Sequence, residues 1–247
     1  MEEKVKVKVR NLTKSFGDLR VLDNVSFDVK EGEFLCIVGP TGCGKTTFLN
    51  SLIQLYDIDS GEILVDGKPV RLDKQNIAYI FQEYSTMPWL TVEENVRFGL
   101  EIKRKDKETI RKQSDEFIKM VGLDQFRNYY PSQLSTSMLQ RVVIARAFST
   151  LPELLLMDEP YGQLDIGLRY KLEDELLKLW RKTGTTVIFI THNIEEAVYL
   201  GQRILVLTNK PTKIKEIKVN DMPYPRNIAS EEFIALREEV TDLIKWW

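Results

Sequence analysis

The sequence has few of the features that mark secreted, membrane-spanning or nucleic-acid-binding proteins. Two cysteines in 247 residues cannot form a disulfide framework, so we expect free thiols in a reducing compartment. No apolar run approaches the ~18 residues of a membrane helix, and Met1-Glu2-Glu3-Lys4 lacks the apolar segment of a secretory signal. A net charge of -2 leaves no electrostatic footprint for nucleic acid. We therefore expect a cytoplasmic globular protein with no nucleic-acid partner.

One glycine-rich stretch carries a clear chemical signal. It matches the pattern G-x-x-x-x-G-K-[ST] and reads Gly39, Pro40, Thr41, Gly42, Cys43, Gly44, Lys45, Thr46. The apolar run 34–38 before it predicts a buried strand, and Thr47 after it opens a predicted helix. Glycines let several backbone N–H groups point at one centre, where the helix start adds partial positive charge. This context predicts a nucleotide-phosphate loop rather than a chance glycine-rich turn, with Lys45 on the β/γ-phosphates and the Thr46 hydroxyl on Mg²⁺.

Strands alternate with helices along most of the chain, which predicts an α/β fold with the phosphate loop at the carboxyl end of a sheet strand. The beginning differs, because Val5, Val7 and Val9 alternate with lysines, as in a half-exposed strand. A second alternating strand is predicted over 21–29. We therefore predict one domain over 1–247 that includes an antiparallel β part formed by 1–32 and 61–76.

The composition changes from about residue 88, where the pattern becomes helical. Thr91 and Glu94 match a capping box before the first predicted helix of this stretch. We predict a helical insertion over about 88–150. The strand pattern then resumes, and residues 203–247 are predicted to form the last strands and a closing helix.

Polar side chains end two of the predicted core strands. Asp158 and Glu159 follow the apolar run 154–157, at the sheet edge that also carries Lys45. One carboxylate there suits Mg²⁺ and its neighbour can polarise an attacking water, although any strand must end in something polar. His192, the one histidine of the chain, follows another core strand at the same edge. We favour a role for it at the γ-phosphate over a purely structural one.

Taken together, these motifs resemble the ATP-binding cassette ATPases over almost the whole chain. They occur in that family's order: Phe16, the loop 39–46, Gln82, Leu134-Ser135, Asp158-Glu159, Leu164-Asp165 and His192. The resemblance implies a P-loop NTPase core of the RecA-like type, with an antiparallel β subdomain and a helical insertion. It also implies ATP and Mg²⁺ as cofactors and ATP hydrolysis as the activity.

The family resemblance implies a role at each matching position. Phe16 would stack on adenine, with a core aromatic as the alternative interpretation. Gln82 would contact Mg²⁺ and the attacking water, while Glu159 would be the catalytic base and His192 the γ-phosphate switch. Cassettes of this family pair head to tail, so each nucleotide lies between one chain's phosphate loop and the other chain's Leu-Ser-Gly-Gly-Gln motif. Ser135 would bind nucleotide in that motif, and Asp165 would lie at the interface between cassettes.

Further stretches of the chain resemble the nitrate, sulfonate and taurine importer branch of this family. It rests on the stretches 81–83 and 87–92 and on the tail motif, Pro223-Tyr224-Pro225-Arg226. That branch implies an importer ATPase, peripheral on the inner face of the membrane, with transmembrane permease subunits and a solute-binding protein as partners. The permease contact is expected in a groove near 82–89, where exposed Met87, Pro88 and Trp89 would favour a protein surface.

The sequence departs from the family at the motif that begins with Ser135. Thr136 and Ser137 replace both glycines, and their Cβ atoms should hinder close approach to a partner's phosphate. Their hydroxyls could instead cap the helix or donate to the phosphate. A heterodimer with one competent and one degenerate site is our hypothesis, and a slow homodimer is the competing account.

Two other function classes remain open. The first is a soluble cassette ATPase of DNA repair or translation. The segment from Lys45 to Ser135 is too short for the long coiled-coil insertion of the repair type. The single cassette argues against the translation type, which has two in tandem. A regulatory nucleotide-binding subunit without useful turnover is favoured by Thr136 and Ser137 but opposed by the intact Glu159.

Overall fold

The computed structural model describes residues 4–162, 164 and 166–244. The chain divides into two compact units. Unit 1 comprises Met1–Gln75 with Thr186–Trp247, and unit 2 comprises Asn76–Thr185. Among the described residues, no helix combines the length and apolar character needed to cross a membrane.

The strands are numbered in chain order. They are β1 Val5–Phe16, β2 Leu19–Lys30, β3 Phe34–Val38, β4 Ser60–Val65, β5 Lys68–Pro69, β6 Ile77–Ile80, β7 Leu154–Asp158, β8 Thr186–Ile190, β9 Arg203–Leu207 and β10 Ile214–Val219. The core strands β3, β7 and β8 are buried at all five positions. Continuous burial on both faces is what a parallel strand covered by helices requires.

The helices are numbered in the same way. They are α1 Lys45–Leu52, α2 Val92–Ile102, α3 Lys107–Met120, α4 Thr136–Ser149, α5 Ile166–Thr183, α6 Ile194–Leu200 and α7 Glu231–Ile244. Two short 3₁₀ turns lie between α3 and α4. The described strands and helices confirm the predicted α/β class.

Unit 1 contains two groups of strands. In the first, β1 pairs antiparallel with β2 and β4, and β4 pairs with β5 through a turn at Asp66 and Gly67. In the second, β3 pairs parallel with β8 on one side and β9 on the other, and β10 runs antiparallel to β9. The parallel group fixes the carboxyl ends of β3 and β8 side by side, where chemistry is expected in an α/β sheet.

The first strand is longer and less regular than its alternating sequence predicts. It continues to Phe16 across register shifts relative to β2, and Asn11 and Asn24 both have positive φ there. Asparagine tolerates this left-handed backbone better than most residues. The alternation also fails at Lys6, which is 4% exposed because its ammonium pairs with Asp66 at 2.8 Å.

Unit 2 combines one parallel strand pair, β6 with β7, and the helices α2 to α5. Residues 88–150 contain α2, α3, α4 and the two 3₁₀ turns without a strand, as the composition of this stretch predicts. The capping box predicted at Thr91 and Glu94 is confirmed, with the Glu94 amide donating to Thr91 Oγ1 at 3.3 Å. That cap fixes where α2 begins.

Candidate functional site

The phosphate loop connects β3 to α1 and buries its lysine. Lys45 is 5% exposed, and its Nζ donates to the carbonyls of Gly39 at 3.0 Å and Pro40 at 3.1 Å. The residue before the helix, Gly44, has φ +113, and a Cβ there would lie 2.7 Å from Val21 Cγ1. Glycine is therefore required by both the backbone conformation and the packing.

The start of α1 offers backbone amides without competition from a capping side chain. Gly44 supplies no side-chain hydrogen bond, and the first turn contains no acidic residue. Thr41, Gly42 and Thr46 are exposed, whereas Thr47 is half-buried. Amides and a positive helix end of this kind form a favourable site for an anion.

Within the loop, Cys43 is held by a residue that is distant in the chain. Its carbonyl accepts a hydrogen bond from the hydroxyl of Thr212, a residue with no exposed surface. Burial raises the pKa of the Cys43 thiol. Cys43 and Cys36 are both buried, and no disulfide joins them.

His192 lies at the same strand edge as the phosphate loop. Ile37 of β3 pairs with Ile190 of β8, and the chain reaches Gly39 and His192 two residues beyond that pair. The His192 side chain is exposed at this edge. Within unit 1, the structure thus brings together the loop and the histidine that the sequence nominates for phosphate contacts.

Phe16 lies at the end of β1 and is 44% exposed. Its ring meets that of Tyr56 edge-on, with centroids 5.3 Å apart, and Lys14 Nζ lies 4.9 Å from its centroid. This exposure rules out the alternative of a core aromatic. An exposed ring with a cation above it can stack on a base, so the predicted adenine contact stays open.

In unit 2, Gln82 and Glu159 occupy matching positions. Ile80 of β6 pairs with Met157 of β7, and each of the two polar residues follows two positions beyond that pair. Gln82 is exposed and Glu159 is half-buried. The structure therefore places Gln82, predicted to contact the attacking water, just beyond the strand that pairs with β7, and the predicted base Glu159 directly follows β7.

The carboxylates at the end of β7 differ in environment. Asp158 is 3% exposed, and its Oδ2 accepts a hydrogen bond from the Tyr79 hydroxyl at 3.3 Å. Glu159 has φ +46, a left-handed conformation that side chains other than glycine rarely adopt. Backbone strain of this kind costs about 1–3 kcal/mol and tends to persist at functional sites. The left-handed backbone at Glu159 thus follows directly on the buried Asp158, the candidate metal ligand, and Glu159 itself, the candidate base, is more accessible.

The altered motif forms the start of α4. Ser135 is the N-cap, its Oγ accepting from the Met138 amide at 3.4 Å and lying 3.2 Å from Ser137 Oγ. Ser135 and Thr136 are exposed, and Ser137 is half-buried. The helix is therefore capped by Ser135, whereas the sequence left this role to Thr136 or Ser137. Asp165 lies outside the described residues.

The loop after Gln82 is fixed by two residues that the sequence analysis did not single out. Asn95 has no exposed surface and binds both the N–H and the carbonyl of Met87, together with the carbonyls of Leu90 and Thr91. It sits four residues into α2, where a buried asparagine is unusual enough to serve as a signal. Met87 is accordingly half-buried, whereas Pro88 and Trp89 are exposed.

The second is Arg146 of α4, which donates to the carbonyl and the hydroxyl of Ser85, each at 2.7 Å. Burial lowers the pKa of its guanidinium. No local pattern identifies this contact, because the two residues are far apart in the chain. It ties the Gln82 loop to the helix that begins with the altered motif.

Beside this loop runs a groove of about 410 Å³. It lies within unit 2, between β6, α2 and α4, and its lining is mainly apolar, with Tyr79, Phe81, Met87, Phe98 and Val143 contributing and Arg146 at one side. Exposed Trp89 lies on the adjoining loop. An apolar groove next to an exposed tryptophan is typical of a protein-binding surface.

Within the described ranges, no cluster of three or more His, Cys, Asp or Glu side chains could hold a metal ion by itself. The Mg²⁺ prediction from the sequence does not require such a cluster, because it names one carboxylate, Asp158, beside a hydroxyl and an amide oxygen. Such hard oxygen donors, completed by waters and phosphate oxygens, are how proteins usually hold Mg²⁺.

Comparisons with known proteins give the chain its family. The family described as ABC transporter matches residues 22–162. An uncharacterized ABC transporter ATP-binding protein of Methanocaldococcus jannaschii, MJ0412, is 46% identical over 98% of this chain and 92% of that protein. The aliphatic sulfonates import ATP-binding protein SsuB of Bacillus cereus is 41% identical over 92% of this chain and 90% of that protein.

A solved structure agrees with the sequence relatives. The cassette MJ0796, in a dimeric post-hydrolysis state bound to ADP and Pi, is 34% identical, with a TM-score of 0.76 over 88% of this chain and 100% of that one. The chain belongs to the ABC transporter family. It is an ATP-binding cassette, and its reaction is the hydrolysis of ATP.

Proposed function

We propose that this chain is the ATPase subunit of an importer that powers the uptake of a small anion, with an aliphatic sulfonate as the favoured solute. The observation that carries the proposal is the intact set of hydrolytic residues, the phosphate loop with His192 and Gln82 with Glu159, each pair on adjacent parallel strands. The solute class rests on the similarity to the SsuB import protein and on the tail motif 223–226. Nitrate and taurine are the neighbouring alternatives.

ATP is held by the loop and Phe16 in this proposal. Lys45 exchanges its carbonyl contacts for the β/γ-phosphates, and the backbone amides at the start of α1 donate hydrogen bonds to phosphate oxygens. Phe16 stacks on the adenine. Thr46, Gln82 and Asp158 would supply oxygen donors for Mg²⁺, and the bound ion would offset negative charge on the phosphates.

Hydrolysis needs a positioned water and a place for its proton. Glu159, half-buried at the end of β7, accepts the proton from the attacking water, and Gln82 orients that water. His192 contacts the γ-phosphate from the end of β8. These roles predict that Glu159 acts in turnover rather than in ATP binding.

The partners are transmembrane permease subunits, a second cassette and a solute-binding protein. The apolar groove with Arg146 and Trp89 is the proposed permease surface, and docking there would hold the chain on the inner face of the membrane. The second cassette completes each ATP site, with Ser135 and Asp165 at the interface. The Cβ atoms of Thr136 and Ser137 favour a heterodimer in which a different cassette supplies the better motif.

A regulatory subunit with little turnover is the second candidate. It is favoured by one observation, the side chains at Thr136 and Ser137 where close backbone approach is needed. The two proposals predict different rates of ATP hydrolysis in the presence of the permease subunits: the main proposal predicts a high rate, and the regulatory role predicts a low one. A rate no higher than that of a Glu159→Gln variant would favour the regulatory role.

The central test is the Glu159→Gln variant with Mg²⁺-ATP. Turnover should fall at least about 100-fold because the general base is lost, whereas ATP binding should change less than about threefold. Light scattering should then detect any ATP-bound dimer that normally dissociates once ATP is hydrolysed. The matched control is Glu238→Gln, an exposed glutamate of α7, which should leave both quantities unchanged. Normal turnover in Glu159→Gln would overturn the proposed mechanism.

A further inference from the structure

The tail motif contains an arginine that is almost completely buried. Arg226 is 5% exposed, although it follows a segment rich in proline that forms no helix or strand. Its Nη1 donates to the carbonyls of Val198 at 2.7 Å, Tyr199 at 3.0 Å and Gly201 at 2.7 Å. These carbonyls belong to the last turn of α6 and the residue that follows it.

The rest of the guanidinium is also satisfied by backbone. Nη2 donates to Asn220 at 3.1 Å and Nε to Met222 at 3.3 Å. The Tyr224 ring lies under the guanidinium, 4.1 Å from its carbon, and the Tyr224 hydroxyl donates to the carbonyl of Leu200. Taking an arginine out of water is costly unless its donors are paired, so this arrangement holds Arg226 in one position.

The contacts act on a helix end, where carbonyls lack partners within the helix. A cation there also opposes the negative end of the helix dipole. With only seven residues, α6 is about 10 Å long and has little stability of its own. Arg226 and Tyr224 therefore stabilise its last turn, together with the Asn220 side-chain amide, which donates to the Val198 carbonyl at 2.8 Å.

The other end of α6 begins directly after His192. The Asn193 side chain accepts from the amides of Glu195 at 3.0 Å and Glu196 at 3.3 Å. The Thr191 hydroxyl binds the Glu196 carboxylate and accepts from the Asn193 amide at 2.9 Å. The residues on both sides of His192 are thus fastened to α6, so a shift of the helix shifts the histidine.

We propose that Arg226 and Tyr224 are positioning residues for His192, acting through α6. They do not touch ATP; they hold the helix whose start aims the imidazole. The inference rests on the proposed contact between His192 and the γ-phosphate. It gives the tail motif a role in the ATPase reaction, which the proposed function alone does not.

The first test compares Arg226→Met with Arg71→Met, an exposed arginine in an ion pair with Asp73, in the full chain. Arg226→Met should lower kcat about tenfold and change KM for ATP less than about twofold, because the phosphate loop is untouched while the histidine is misplaced. Arg71→Met should match the parent. An unchanged kcat in folded Arg226→Met overturns the inference.

The second test uses the fact that the chain has one histidine. Protein made without a histidine tag and labelled with ¹³C-histidine gives one imidazole signal, that of His192. Arg226→Met should shift or broaden this signal, and Arg71→Met should leave it in place. A signal identical to the parent's would show that α6 does not transmit the change, and would overturn the inference.

A double variant separates this inference from the proposed function. If His192→Ala alone leaves kcat unchanged, the γ-phosphate role is wrong and the inference falls with it. If His192→Ala lowers kcat and Arg226→Met lowers it no further in the double variant, the inference is supported. Effects that multiply would mean that Arg226 acts independently of His192, which contradicts the inference.

The Tyr224→Phe variant keeps the test decisive should Arg226→Met fail to fold. It removes only the hydroxyl that binds the Leu200 carbonyl. We expect kcat about two to three times lower than the parent's, with a smaller shift of the same histidine signal. No change in either quantity would overturn the inference.

Discussion

The sequence predicts that the N-termini of two helices, α1 and α4, contact nucleotide phosphates, yet the two N-termini are capped differently. At α1, Gly44 brings no capping side chain, so the first amides are unoccupied by the helix's own residues. At α4, Ser135 accepts one amide through its hydroxyl, and Ser137 lies against that hydroxyl. The first start is open to an outside anion, and the second is partly satisfied from within.

This difference shows how a helix start can be tuned between binding and stability. A capping side chain stabilises the helix by about 1 kcal/mol but occupies a donor that a ligand could use. A glycine leaves the donors available and gives up that stabilisation. The chain has glycine where we propose that it holds ATP itself and hydroxyl side chains where it would contact a partner's nucleotide.

The largest effect is expected at the open start. Lys45→Met removes the one ammonium of the loop and should weaken ATP binding about 100-fold, since charge-assisted hydrogen bonds to phosphate contribute about 1.5–3 kcal/mol each. Titration with a fluorescent ATP analogue measures this. Lys74→Met, an exposed lysine in a turn, is the control and should bind like the parent. If Lys45→Met bound ATP as tightly as the parent, the proposal that the start of α1 binds phosphate would be wrong.

A smaller effect is expected when the second start is made like the first. Thr136→Gly with Ser137→Gly should raise ATP turnover about threefold to tenfold in any assembly where α4 faces a nucleotide, because the backbone can then approach the phosphate. The same change should lower stability by about 0.3–0.5 kcal/mol per glycine, because threonine and serine are themselves weaker helix formers than alanine. Turnover and thermal unfolding are measured on the same sample.

The matched pair for that experiment is Thr136→Ala with Ser137→Ala. It keeps both Cβ atoms and removes both hydroxyls. Turnover should stay low if the Cβ atoms are the obstacle. A gain equal to that of the glycine pair would instead assign the obstacle to the hydroxyls.

The smallest effect concerns the cap itself. Ser135→Ala should lower the free energy of unfolding by about 1 kcal/mol, which corresponds to about 2–4 °C in Tm for a chain of this size. Thr91→Ala, at the start of α2, is the reference because it removes a complete capping box and should cost at least as much. An unchanged Tm for Ser135→Ala would show that this cap contributes nothing.

Local signals predicted the parts of the fold and site that depend on neighbours in the chain. The strand over 34–38 is confirmed because a continuous apolar run before a glycine loop has few other solutions. The cap of α2 is confirmed because Thr91 and Glu94 satisfy each other. The edge positions of Gln82, Glu159 and His192 follow from the same logic, since parallel strands end together.

The sequence could not reveal contacts that join distant residues. The alternating pattern of β1 predicted an exposed Lys6. Its ion-pair partner Asp66, however, lies in the turn between β4 and β5. Arg226 is buried and Arg146 half-buried, and each donates to groups that are distant in the chain: Arg226 to the Val198 carbonyl and Arg146 to the Ser85 carbonyl. Contacts between distant residues produce no periodic pattern in the sequence. Only the structure therefore shows that these charged side chains are withdrawn from solvent.

The four hydrogen bonds made by the Asn95 side chain bear on the thermodynamics of the proposed permease docking. They order the loop that presents Pro88 and Trp89 in the isolated subunit. A partner that binds this surface therefore meets a shape that already exists and loses little conformational entropy in forming it. Association at this surface should resemble the fitting of two rigid bodies, with the exposed tryptophan as the anchor.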